Sequence, residues 1–204
     1  MSLEKIETKL IENWDVYYNL IKKLDDKDMI ENFNKFLDEQ EHRIVTCPAS
    51  TKVGNIGAFT GGLVIHSLNV LKIMKELNKI HGSQCSTDDM IITSLFHDIG
   101  KIGSETEDYY LPQKSDWHRD KGINFEINPK LTNMPVVARS IWWFNHYNIK
   151  VSDNVLEALF SLYSSTKNNS VHEIYNVSNL SLLLQNSVRS ACVLYKGKTS
   201  VLEM

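Results

Sequence analysis

Leu95-Phe96-His97-Asp98-Ile99-Gly100-Lys101-Ile102-Gly103 joins the end of an apolar run to a pair of glycines, with a histidine and an aspartate at the junction. Upstream of it, Met90, Ile91, Leu95 and Phe96 recur at helical spacing. Thr87 supplies a capping oxygen, and Asp88 and Asp89 place two carboxylates in the first turn. Gly100 and Gly103 are the expected stops. A second segment, Gly61-Gly62-Leu63-Val64-Ile65-His66-Ser67, opens another helix, with the stripe Leu63, His66, Val70, Ile73, Met74 and Leu77 and a stop at Gly82. His66 lies on that apolar stripe, where a polar group needs a partner.

Working outward, the first forty residues read as helix. Leu3, Ile6, Leu10, Ile11, Trp14, Tyr17, Tyr18 and Ile21 form one stripe, and Met29, Phe33, Phe36 and Leu37 form a second after a break at residues 24–28. Residues 42–60, with Pro48, Gly54 and Gly57, read as loop. Residues 104–134 are polar, contain Pro112 and Pro129, and show no strong period, so they form a long excursion. Pro135 reads as a first helical residue ahead of Val136, Val137, Ile141, Trp142 and Phe144. Ser152 starts a further helix, and Ser178 starts the last, whose stripe Leu180, Leu183, Leu184, Val188, Cys192 and Tyr195 stops at Gly197. No convincing strand alternation appears. The expectation is an all-α bundle of six to eight helices, with an N-terminal helical segment (1–41) packed on a domain spanning 42–204.

Composition narrows the function. The 204 residues are 42% hydrophobic and 23% charged, which is ordinary for a globular domain and excludes a disordered scaffold. The longest apolar run, Ala191–Tyr195, is far short of the ~20 residues that span a bilayer, so no membrane helix is expected. A net charge of −3, from 22 basic and 25 acidic residues, argues against general nucleic-acid coating. Cys47, Cys85 and Cys192 are odd in number and far apart, and read as free thiols in a reducing cytoplasm. The N-terminus lacks the apolar core of a secretion signal, so the expected location is cytoplasmic.

A lone stripe histidine is usually a satisfied core residue, and a bare His-Asp pair has little specificity. Two imidazoles 31 residues apart in sequence, a carboxylate and the Gly-Lys-Ile-Gly tail together reverse that weighting. Converging between packed helices, neutral imidazole nitrogens and a carboxylate oxygen would form a divalent-metal site.

These segments resemble the HD-domain superfamily of metal-dependent phosphohydrolases. The likeness runs from about residue 45 to 197 and extends to phage-encoded and bacterial HD hydrolases with a Pro-Ala-Ser-Thr-Lys loop before the Gly-Gly helix. Pro48-Ala49-Ser50-Thr51-Lys52 stands in that place here. The resemblance implies that His66, His97 and Asp98 are metal ligands for a divalent ion (Mn, Fe, Ni, Co, Mg or Zn). It also implies a small phosphorylated substrate, a nucleotide or other phosphate ester, and leaves a homo-oligomer open. The family pattern ends in a later Asp, and the matching position in Leu182-Leu183-Leu184-Gln185-Asn186-Ser187-Val188 is Val188. With no Asp or Glu between Glu173 and Glu203, the fourth ligand is missing. Asp153 reads better as a first-turn acid than as its substitute.

Several further residues suit phosphate chemistry. Lys101 would balance a phosphate or activate a leaving group, or else complement a helix dipole. Lys52 offers a cation to an anion, or is a solvated loop lysine. His118 is a candidate acid or substrate contact in the excursion, or a surface histidine. Arg139 would hold phosphate as a planar fork. Two functions follow: a phosphohydrolase, or a degenerate fold kept as a ligand-binding or interaction module.

Overall fold

The computed structural model describes residues 3–163 and 177–196. The expected stop at Gly197 lies outside them. Eight α-helices stand among the described residues: α1 (Leu3–Ile21), α2 (Lys27–Thr46), α3 (Gly62–Ile80), α4 (Thr87–Phe96), α5 (Asp116–Asp120), α6 (Val136–His146), α7 (Asp153–Tyr163) and α8 (Asn179–Leu194). A 3-10 turn, Ile99–Ile102, follows α4 directly. α3 is the central element, packed against α4 and α8, with α1 and α2 on its other sides.

The fold is mostly helical, as expected, with one departure in the excursion. Tyr110–Pro112 (β1) pairs antiparallel with Phe125–Ile127 (β2), and α5 lies between them. Strands of three residues are too short for alternation to register in the sequence. The excursion holds its shape through backbone bonds. The Asn124 N–H donates to the Thr51 carbonyl at 2.9 Å, and the Val53 N–H to that of Gly122 at 2.7 Å. Arg43 anchors its start, donating to the carbonyls of Ile102 (2.5 Å) and Glu107 (3.0 Å) and to the Asp108 carboxylate (2.8 Å).

Helix starts shift by one residue at two places. Ser86 caps α4, its hydroxyl accepting from the Asp89 N–H, and Thr87 is the first helical residue. Pro135 precedes α6 instead of opening it. Either shift lies within the ordinary ambiguity of a helix end.

Aromatic packing carries the junction at residues 95–103. Phe96, fully buried, stacks on Phe33 of α2 at 4.6 Å between ring centroids and meets Phe144 of α6 edge-on at 5.7 Å. α1 adds Tyr17, whose hydroxyl donates to the Leu95 carbonyl at 2.7 Å. Such rings bury large apolar areas, and each well-packed pair adds about 0.5–1.5 kcal/mol beyond area alone. Gly100 then brings the 3-10 turn against α6. Its N–H donates to Ser140 Oγ at 2.9 Å, and a Cβ there would sit 2.2 Å from the Val136 carbonyl oxygen. The Trp143 indole closes the turn by donating to the Gly103 carbonyl at 3.1 Å. His97 and Asp98 are thereby held between a rigid aromatic cluster and a backbone contact that only glycine permits.

Candidate metal centre

α3 delivers His66 from its first turns, and the end of α4 delivers His97 and Asp98. All three are buried, at 2%, 1% and 3% exposure. One ligand-type atom from each lies within 4.8 Å of the others. His97 Nδ1 lies 2.9 Å from the Ser94 carbonyl, so it carries the proton and donates, leaving Nε2 as a lone pair. That Nε2 faces His66 Nε2 at 3.3 Å. Asp98 Oδ2 lies 3.5 Å from His97 Nε2 and 3.9 Å from His66 Nε2. A borderline divalent cation takes this set of two imidazole nitrogens and one carboxylate oxygen, so the residues fit the metal their sequence pattern implies.

Electrostatics keep the donors in ligating form. Burial lowers His66 to about 3, with help from His97 and Lys101 and against the pull of Asp98. Burial lowers His97 as well, opposed by Asp98 and the Ser94 bond. For Asp98, burial is the largest influence and pushes upward, but Lys101, His97 and His66 together outweigh it, so the carboxyl is held well below the usual range. Lys101 Nζ sits 2.5 Å from Asp98 Oδ2 and 2.8 Å from the Ala49 carbonyl. Two neutral imidazoles and an ionised carboxylate are the protonation states metal binding requires.

These shifts set the acid behaviour of the metal-free protein. Folded His66 takes up a proton only near pH 3, whereas the unfolded chain takes it up at 6.5. Between those values the unfolded state binds more protons, so stability falls as pH drops, by about 1.4 kcal/mol per unit for this group. The depressed Asp98 adds a further loss below its ordinary value of 3.8. Urea midpoints in chelator at pH 7.5, 6 and 5 should decline steadily, and more shallowly in His66→Asn. A flat profile shared by both proteins would contradict it.

The structure joins Lys101 to the triad, and leaves the other predicted residues outside its hydrogen bonds. Lys52 is exposed, and its backbone bridges to Ile123. His118 is half-buried in α5 beside Trp117, with Nδ1 unpartnered. Arg139 is 3% exposed, donates to the Thr132 carbonyl at 3.0 Å and leaves its Nε unpartnered. Among the described residues no carboxylate pairs with it. Val188 is half-buried against the core. Its helix, α8, packs against α3, which carries His66, and against α4, and Cys192 one turn further on is exposed.

Sequence reasoning missed two features. The Tyr110 hydroxyl donates to Ala49 O at 3.4 Å, the same carbonyl that receives Lys101. Nothing in the aperiodic excursion signalled it. A pocket of about 170 Å³ also opens beside Lys101, between Cys47, Pro48, Tyr109, Tyr110 and Phe125. It adjoins the triad on the Lys101 side, and neither histidine lines it. The free state of Cys47, Cys85 and Cys192 stands, and no described helix is long and apolar enough to cross a membrane.

The HD domain family profile matches residues 63–141, which hold both histidines and the aspartate. A 3'-5' exoribonuclease YhaM from Oceanobacillus iheyensis is 36% identical over 67 residues. That stretch is 33% of this chain, and it spans only a fifth (20%) of the exoribonuclease. No solved structure matches the chain.

Proposed function

We propose that this chain, whose residues 63–141 match the HD domain family, is a metal-dependent phosphohydrolase acting on a nucleotide or another phosphate ester. The observation that carries this reading is the buried convergence of His66, His97 and Asp98, with Lys101 on the Asp98 carboxylate. His66 and His97 would hold the ion through Nε2 and Asp98 through Oδ2. When bound there, a divalent ion supplies Lewis acidity toward a phosphoryl oxygen and toward water.

The chain's own groups divide the remaining work. Lys101, donating to Asp98 and lining the pocket, holds positive charge where phosphoryl oxygens would gain negative charge. The pocket's Tyr110 and Phe125 rings give the substrate body an apolar wall. Arg139, buried without a carboxylate partner among the described residues, favours an anion beside α6. Lys52 and His118 remain candidates for substrate contact from the loop and the excursion. The likeness to an exoribonuclease adds phosphodiesters to the substrate classes worth testing.

A second reading rests on Val188 and the near-complete burial of the triad: an HD fold kept as a ligand-binding module. The test is metal content after loading with Mn²⁺ or Ni²⁺ and dialysis, followed by assays on bis-p-nitrophenyl phosphate and nucleotides. About one equivalent of metal, with turnover lost in His97→Ala, is expected. Protein that retains no metal and turns over nothing would favour the binding module.

A further inference from the structure

Outside the metal centre, lysines gather on one groove, two of them, Lys23 and Lys75, without an ion pair among the described residues. The groove lies between α1 and α3 and has a volume of about 330 Å³. Val16, Leu20, Leu68 and Leu71 form its apolar floor, and Lys23, Lys72 and Lys75 stand on its rim. Asp15 is the one carboxylate among its described lining residues. Lys79 adds charge nearby, but is paired with Glu76 at 2.9 Å. Neither Lys23 nor Lys75 has a carboxylate within ion-pair distance among the described residues.

This is an unusual arrangement in a chain of net charge −3. Acidic residues outnumber basic ones, yet like charges gather around an apolar floor. Burial holds Lys75 below the ordinary lysine range, and the charges of Lys23 and Lys79 lower it further. The helix dipole accounts for Lys23, just past the end of α1, but not for Lys75, because the effect fades within the last turn of α3. Lysine stems can cover apolar surface, but between Lys23 and Lys75 no ion pair among the described residues offsets the repulsion of their heads.

We propose that this groove is a binding site for a small amphiphilic anion, whose apolar body lies on Leu68, Leu71, Val16 and Leu20 and whose phosphate or carboxylate head sits between Lys23 and Lys75. Its volume lies at the small end of the range of ordinary ligand pockets, and an apolar floor with a few converging charges is their usual construction. Lys75 follows His66 by nine residues, about two and a half turns, and so faces the opposite side of α3. The groove is therefore separate from the metal centre and goes beyond the phosphohydrolase reading. α3 is the shared wall of the two sites.

The anionic dye 8-anilinonaphthalene-1-sulfonate is the probe. The wild-type chain should bind it saturably, more weakly as salt screens the lysines, and unchanged after chelator treatment. Octyl phosphate and octanoate should displace it, and whichever acts at lower concentration identifies the head group. Inorganic phosphate alone should not. Lys23→Gln/Lys75→Gln should raise the dye's Kd at least tenfold with an unchanged urea midpoint, both side chains being at least partly solvent-exposed. Equal dye affinity in that variant would overturn the proposal, as would displacement by inorganic phosphate as effective as that by octyl phosphate.

Discussion

Asp98→Ala is expected to unfold about 3 kcal/mol more easily than the wild type and to retain no divalent ion after dialysis. The stability loss comes from Lys101. Its ammonium lies 2.5 Å from Asp98 Oδ2, and its side chain is only 17% exposed, so removing the carboxylate strands a largely buried charge on one remaining acceptor, the Ala49 carbonyl. Breaking one side of a buried pair typically costs about 3–5 kcal/mol, and the opening toward the neighbouring pocket argues for the low end. The metal loss has a different cause, the missing oxygen donor. The double variant Asp98→Ala/Lys101→Met separates the two effects. It should recover most of the stability, because the unpaired charge is gone, and none of the metal binding. Urea denaturation and metal analysis on the same samples give both readouts. A double variant as unstable as the single one would show that Lys101 is not the origin of the loss.

Val188→Asp is expected to tighten metal binding by one to two orders of magnitude and to lower metal-free stability by about 1–3 kcal/mol. Val188 is half-buried on α8, the helix that packs against α3 and α4, which carry the triad. A carboxylate there adds a fourth donor and a second negative charge near the ion. A tenfold to hundredfold gain corresponds to about 1.4–2.8 kcal/mol, a modest demand on a charge pair of restricted exposure. Without metal the same carboxylate is half-buried against the apolar core with no cation assigned to it, hence the destabilisation. Turnover absent in the wild type and present in Val188→Asp would establish the wild-type chain as a binding module. Wild-type turnover that Val188→Asp leaves unchanged would mean that the three donors suffice. Unaltered metal affinity would show that position 188 does not reach the ion.

The buried His66, His97 and Asp98 cluster was legible because its members carry local signals. His66 interrupts an apolar stripe, and His97-Asp98 stands where a helical pattern gives way to glycines. Val188 was legible in the same way, from its place in the stripe of the last helix. Lys52, His118 and Arg139 were chosen for chemical type alone, and the structure leaves them outside the triad's hydrogen bonds. Arg139 shows the difficulty. Its surroundings are set by Thr132 in the excursion and by Gly100 in the 3-10 turn, which contact it only once the chain is folded.

The sequence by itself determined the helical class, the succession of apolar faces, and which imidazoles and carboxylate are available as donors. These are properties of periodicity and residue chemistry, expressed within a few turns of chain. Tertiary structure alone decided that Lys101, already within reach of Asp98 one turn away, would also donate to the Ala49 carbonyl, and that Tyr110 would reach that same carbonyl. It also decided that β1 and β2 would pair, and that Lys23 of the chain after α1 would meet Lys75 of α3. Each of these joins residues far apart in sequence. Their energies depend on burial and on distances of a few ångströms, which no local pattern encodes.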